Sequence, residues 1–107
     1  MDKIVNHNEF ISAINSKNKV KVIFFSKEDN QNIERTCAPM DYGPSRRSHD
    51  QQNKYHFWDY DSDQTSHTLP LVADNISSVA ILDEKFDPKS DFKFSIDSTQ
   101  WFIPRNW

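Results

Sequence analysis

Along the first eighteen residues the apolar positions recur at helical spacing. Phe10, Ile11 and Ile14 stand three and four residues apart, which places them on one face of a helix from Asn8 to about Ser16. Asn8 is a cap and Asn18 a stop; Glu9 in the first turn and Lys17 just past the last suit the helix dipole. From Lys19 the period changes to two. Val20, Val22 and Phe24 alternate with Lys19, Lys21 and Ile23, which predicts a strand over Lys19–Ser26. Lys27 to Asn32 is a polar turn, where Asp29-Asn30 tolerates positive φ. Ile33–Ala38 alternates again, with Ile33, Arg35 and Cys37 on one face, so the two runs predict a hairpin. Pro39 is expected to end the second strand, since it brings no ladder donor and restricts the residue before it.

Residues 39–53 hold Pro39, Gly43, Pro44 and then a polar run, and they predict a loop. Loops longer than about 12–15 residues are uncommon and often functional. Lys54–Tyr60 is an aromatic strand, Asp61–Ser66 a turn, and His67–Val72 a strand that Pro70 marks as an edge or a bulge. Ala73-Asp74-Asn75 turns the chain into a strand over Ile76–Leu82. Alternating Phe92, Phe94 and Ile96 predict one more short strand. Trp101, Phe102, Ile103 and Trp107 either pack back on the domain or form a contact surface. The expected fold is mainly β with one N-terminal helix (α+β): a small barrel of five or six short antiparallel strands. A chain of 107 residues predicts one domain, with the helix in 1–18, the barrel in 19–84 and an aromatic extension in 85–107.

Composition narrows the chemistry. An aromatic share of 13% supports a folded core despite 27% charged residues. Gly43 is the only glycine, which excludes the glycine-rich dinucleotide and P-loop motifs. Cys37 is the only cysteine, so neither an intramolecular disulfide nor a cysteine zinc site can form. That usage fits a reducing compartment, and the expectation is a cytoplasmic protein. The N-terminus does not resemble a signal peptide, and Val20–Phe25, the longest apolar stretch, is too short to span a bilayer. Net charge is -3, split as +2 over residues 1–58 and -5 over 59–107, unlike the basic footprint of a typical nucleic-acid binder.

Candidate sites are few. Asp59-x-Asp61-x-Asp63 begins like a calcium loop, but Gln64 and Pro70 stand where an EF-hand needs glycine and glutamate. A solvated acidic turn is the expectation, with no metal and no cofactor. Cys37 and His56 could be drawn as nucleophile and base, yet a strand cysteine reads better as a small buried hydrophobe. No acid–base pair assembles, so no enzyme is expected. Arg35 lies inside a strand, where it either pairs with an acidic residue or carbonyls or receives an anion. Ser45-Arg46-Arg47-Ser48, beside Lys54 and Tyr55, is either a solvated loop or a basic grip for a single strand stacked on aromatics. Trp58 alternates with Phe57, so one aromatic face is exposed or covered by the tail.

The order of these segments resembles the WYL domain, a small SH3-like or Sm-like β-barrel found mostly in bacterial transcription regulators. The likeness spans about residues 8–88 and rests on Val20-Lys21-Val22-Ile23-Phe24-Phe25, Arg35-Thr36-Cys37-Ala38-Pro39, Tyr55-His56-Phe57-Trp58, Leu69-Pro70-Leu71 and Phe86-Asp87-Pro88. Phe57-Trp58-Asp59 stands near the place of the naming tripeptide. The family's arginines before Ile76, associated with a nucleic-acid or nucleotide ligand, have no counterpart in His67–Asn75. The seven residues before Asn8 leave no room for the family's winged helix, so a module rather than a complete regulator is expected. The resemblance implies a non-catalytic binding or regulatory module. Its expected partner is another protein or a second copy. The alternative is an anion, a nucleotide or single-stranded nucleic acid. Arg35, Arg46, Arg47, Lys54, Tyr55 and Trp58 are the candidate ligand-binding residues.

Overall fold

The alternating run after the first helix forms β1 (Asn18–Ser26), an inner strand of a five-stranded antiparallel sheet. A computed structural model describes residues 3–45, 51–62 and 67–107. Val20, Val22 and Phe24 are buried on one face of β1, as the period of two requires. Asn30 takes a left-handed φ of 52° in the turn before β2 (Gln31–Pro44). β3 (Asn53–Asp59), β4 (Thr68–Leu71) and β5 (Ile76–Lys85) complete the order β4-β3-β2-β1-β5. A single 3-10 turn, Ala73–Asn75, joins the two edge strands in sequence. No ladder pairs β4 with β5 among the described residues, so the sheet is open and barrel closure is not seen.

Helix α1 (His7–Ser16) lies on one face and buries Phe10, Ala13 and Ile14. It stops because Lys17 turns left-handed at φ 61°. Asn6, rather than Asn8, precedes the helix, and its amide donates to the Val79 carbonyl at 2.6 Å instead of capping. Leu71 of β4 and Val79 of β5 share one core with Phe10, Val22, Tyr55 and Phe57. Both sheet edges therefore bend round the same face. No helix among the described residues is long and apolar enough to cross a membrane.

Two sequence expectations change here. Pro39 does not end its strand, because β2 runs on to Pro44 and takes up much of the expected 39–53 loop. Thr36 uses its N–H and C=O on the β3 side, binding Asp61 and Tyr60. By alternation Pro39 faces the β1 side, where pairing has already ended at Cys37. Its missing donor therefore costs no ladder bond. The strand expected at Phe92–Ile96 is also absent; a short α2 (Pro88–Asp91) leads into an irregular tail.

That tail covers the sheet's second face. Ala38, Met40 and Trp58 pack there with Phe86 and Phe92, joined by Phe94, Ile96, Trp101 and Trp107. A β-bulge makes the docking work. Pro39 pairs with Phe57 but Asp41 with His56, so Met40 is an extra residue. Strict alternation would put Asp41 on the helix face and Tyr42 on the tail face. The bulge reverses both: Tyr42 packs on Tyr55, and Asp41 meets the tail. The Asp41 carboxylate accepts N–H bonds from Tyr42, Phe102 and Ile103 at 2.9 to 3.0 Å and lies 3.4 Å from the Arg105 guanidinium. Arg105 is only 2% exposed, donates to the carbonyls of Met40 and Ile103, and stacks 3.8 Å from the Trp101 ring centre and 4.7 Å from that of Trp107. Burial lowers its pKa to about 10, against the opposing pull of Asp41, so it stays charged at neutral pH.

Gly43 serves this docking too. A β-carbon there would sit 2.5 Å from Phe102 Cδ2, so only a glycine lets that ring rest on β2. Gly43→Ala should lower stability by about 1–3 kcal/mol through overpacking, and adding Phe102→Ala should return part of the loss. An unchanged urea midpoint for Gly43→Ala would contradict the close packing. Arg105→Met leaves a buried carboxylate without its cation and should cost about 3–5 kcal/mol. A chemical-denaturation loss below about 1 kcal/mol would show that the pair behaves as a surface bridge.

Candidate functional site

Arg35 is positioned by the β1–β2 ladder, where it pairs with Val22 and projects to the same face as Ile33 and Cys37. It lies at the opposite end of the strands from α1. A cleft of about 520 Å³ opens there. Phe24, Ile33, Leu69 and Leu71 give it an apolar floor, and Lys27, Glu28 and Asp29 from the hairpin turn give it a polar rim. Arg35 Nε lies 3.6 Å from Asp59 Oδ2, with the arginine side chain about a third exposed and the aspartate 8% exposed.

Asp59 is fixed from several sides. Its Oδ1 accepts the Asp61 N–H at 2.9 Å. Asp61 Oδ2 in turn accepts the Thr36 N–H at 2.6 Å. His67 Nδ1 donates to the Asp59 carbonyl at 3.0 Å, and Asp59 N–H donates to the His67 carbonyl at 2.7 Å. Burial raises the Asp59 pKa, while the Asp61 N–H and the Arg35 charge hold it down in part. Asp59 and Asp61 are thus structural acceptors; Asp63 lies outside the described residues. Cys37 is fully buried, and burial pushes its thiol far above the ordinary range, with Asp59 and Asp61 adding to the effect. No group of three or more His, Cys, Asp or Glu side chains that could hold a metal occurs among the described residues.

The cleft borders an unfinished strand edge. β3 ends at Asp59, so among the described residues Gln31–Arg35 of β2 pairs only with β1. Thr36 directs its N–H and C=O away from β1, so alternation directs those of Glu34 and Asn32 the same way. Among the described residues, Asn32 and Glu34 therefore present unpaired backbone groups beside the cleft.

The six sequence candidates do not meet at one place. Arg35 lines the cleft. Lys54 pairs with Gly43 at the far end of β3 and is half-buried. Tyr55 is fully buried beneath α1, where its hydroxyl accepts the Ile4 N–H at 3.0 Å and meets His7 Nδ1 at 2.7 Å. Trp58 is 5% exposed under the tail, against Phe92 and His67. Neither ring is therefore open for base stacking. Arg46 and Arg47 lie outside the described residues. Sequence reasoning passed over His67 and Leu69 as cleft residues, and nothing in their local pattern marks them. It also passed over the Asp41–Arg105 pair; a cation between Trp101 and Trp107 was the available signal. No family model, curated protein or solved structure matches the chain.

A raised Asp59 pKa fixes a sign. Its contribution to folding stability is full below the ordinary aspartate value and is lost as pH rises through the folded-state value. Arg35→Met removes the opposing cation, so Asp59 should titrate at still higher pH in carboxyl-carbon NMR. An unmoved titration would mean that the 3.6 Å pair has no electrostatic weight.

Proposed function

We propose that the protein is a non-catalytic binding module of WYL-like type that takes an extended segment of a partner protein in the Arg35–Asp59 cleft. The observation that carries this reading is that, among the described residues, the β2 edge at Gln31–Arg35 is open beside an apolar floor. An added strand gains affinity from main-chain bonds to Asn32 and Glu34 and specificity from alternate side chains dropping into the floor. The WYL likeness is supported by the order of one helix followed by five antiparallel strands. The tail-mediated form of self-association loses support because Trp58, Trp101 and Trp107 pack together within the chain. A cytoplasmic, regulatory setting follows from the resemblance and the cysteine usage.

The alternative, an anion, nucleotide or single strand held by Arg35, Arg46, Arg47 and Lys54, predicts loss of binding as salt rises. Peptide display selection on the full chain, followed by amide NMR, separates the two. The partner reading expects selected peptides to slow exchange at Asn32 and Glu34 and to shift Ile33, Arg35 and Leu69. Leu69→Asp should then weaken binding about tenfold or more, as loss of a hot-spot contact does. Failure to select any peptide, or shifts away from the cleft, would reject it. Salt-sensitive oligonucleotide binding lost in Arg46→Ala/Arg47→Ala would favour the alternative.

A further inference from the structure

The tail does not seal the second face completely. Between it and β2, β3 and β4 lies a cavity of about 620 Å³. Small-molecule sites typically measure about 300–1,000 Å³. We propose that this cavity binds a small, uncharged, planar heteroaromatic molecule carrying an N–H donor. It lies across the sheet from the Arg35 cleft and does not depend on the partner reading.

Ring geometry supplies the planar preference. Phe86, Phe92 and Phe94 stack in series, with centres 5.8 and 5.4 Å apart and planes within 26° and 13°. Phe94 ends the series and lines the cavity together with Trp101. A flat ring entering there extends an existing stack. Charge argues for a neutral ligand. The one charged lining side chain among the described residues is Asp41, and the Arg105 guanidinium already balances it, so an anion finds no unpaired cation among them. A cationic ligand would compete with the three N–H groups and the Arg105 guanidinium that already occupy Asp41.

The donor requirement comes from two side chains on the wall. His56 Nε2 lies 3.0 Å from the Gly43 carbonyl. A carbonyl only accepts, so Nε2 carries a proton, and in the neutral tautomer that has it there Nδ1 is an acceptor. Nδ1 has no partner among the described residues. Thr99 Oγ1 donates its proton to the Ser95 carbonyl at 2.7 Å, so it too has only lone pairs to offer. Both groups select a ligand that donates, as a nucleobase or an indole does.

The test uses the full chain labelled with nitrogen-15. Indole and adenine are the probes; 1-methylindole lacks the N–H donor of indole, benzoate adds a charge, and cyclohexanol lacks a flat ring. The expected result is saturable shifts at His56, Thr99 and Trp101 with indole and adenine, and weaker binding of all three controls. Phe94→Leu should weaken both probes about tenfold, the scale of one lost stacking contact. His56→Phe should remove the advantage of indole over 1-methylindole, which tests the site even where Phe94→Leu disturbs the tail. Absence of saturable shifts, equal affinity for cyclohexanol, or 1-methylindole binding as tightly as indole to the unaltered protein would overturn the proposal.

Discussion

The buried carboxylate of Asp41 holds the second half of this structure together. A sheet with apolar side chains on both faces needs two covers. Helix α1 supplies one, and the C-terminal tail, which has almost no regular structure of its own, supplies the other. An irregular segment must find partners for its backbone. Asp41 takes two of those N–H groups and balances the charge of Arg105. Burying an ion pair costs several kcal/mol in desolvation, and it persists only with further hydrogen bonds and close packing. Here the main-chain donors, two carbonyl acceptors and two indole faces provide them. Arg105 Nε alone among the described buried side-chain atoms finds no acceptor.

The bulge at Met40 is what makes Asp41 available. One extra residue in β2 exchanges the faces of Asp41 and Tyr42, so a single backbone irregularity serves both cores. Gly43 then allows Phe102 to lie against the strand. The terminal residues extend the clasp to the helix: Trp107 Nε1 donates to the Ile14 carbonyl at 2.6 Å, and Asn106 N–H donates to Asn15 at 3.1 Å. The two cores are therefore linked through the tail as well as through the sheet.

Both candidate sites arise where a cover ends. The cleft opens where β3 stops at Asp59 while β2 continues along β1. The cavity opens where the tail leaves His56, Thr68 and Pro70 uncovered on the β3–β4 side. Their chemistry differs accordingly. Among the described residues, one joins an open strand edge to a charged pair, and the other joins aromatic walls to acceptors without a donor.

The sequence by itself determined the local elements. Period-two alternation in Val20, Val22 and Phe24, helical spacing in Phe10 and Ile14, and the Ala73-Asp74-Asn75 turn each depend on near neighbours and survive in the structure. Arg35 was legible as a strand arginine in need of a partner, an acidic residue, carbonyls or a bound anion, because a charge on an apolar face requires one; that Asp59 lies beside it was decided by the fold. Tertiary structure decided the rest. Whether Pro39 ends a strand depends on where β1 stops. Whether Tyr55 and Trp58 are open depends on α1 and the tail, whose residues lie more than thirty positions away for most of their contacts. Asp41 becomes a buried anchor only because residues some sixty positions later carry the matching donors. Local patterns record what a segment prefers; only long-range packing records which of its faces remains for a ligand.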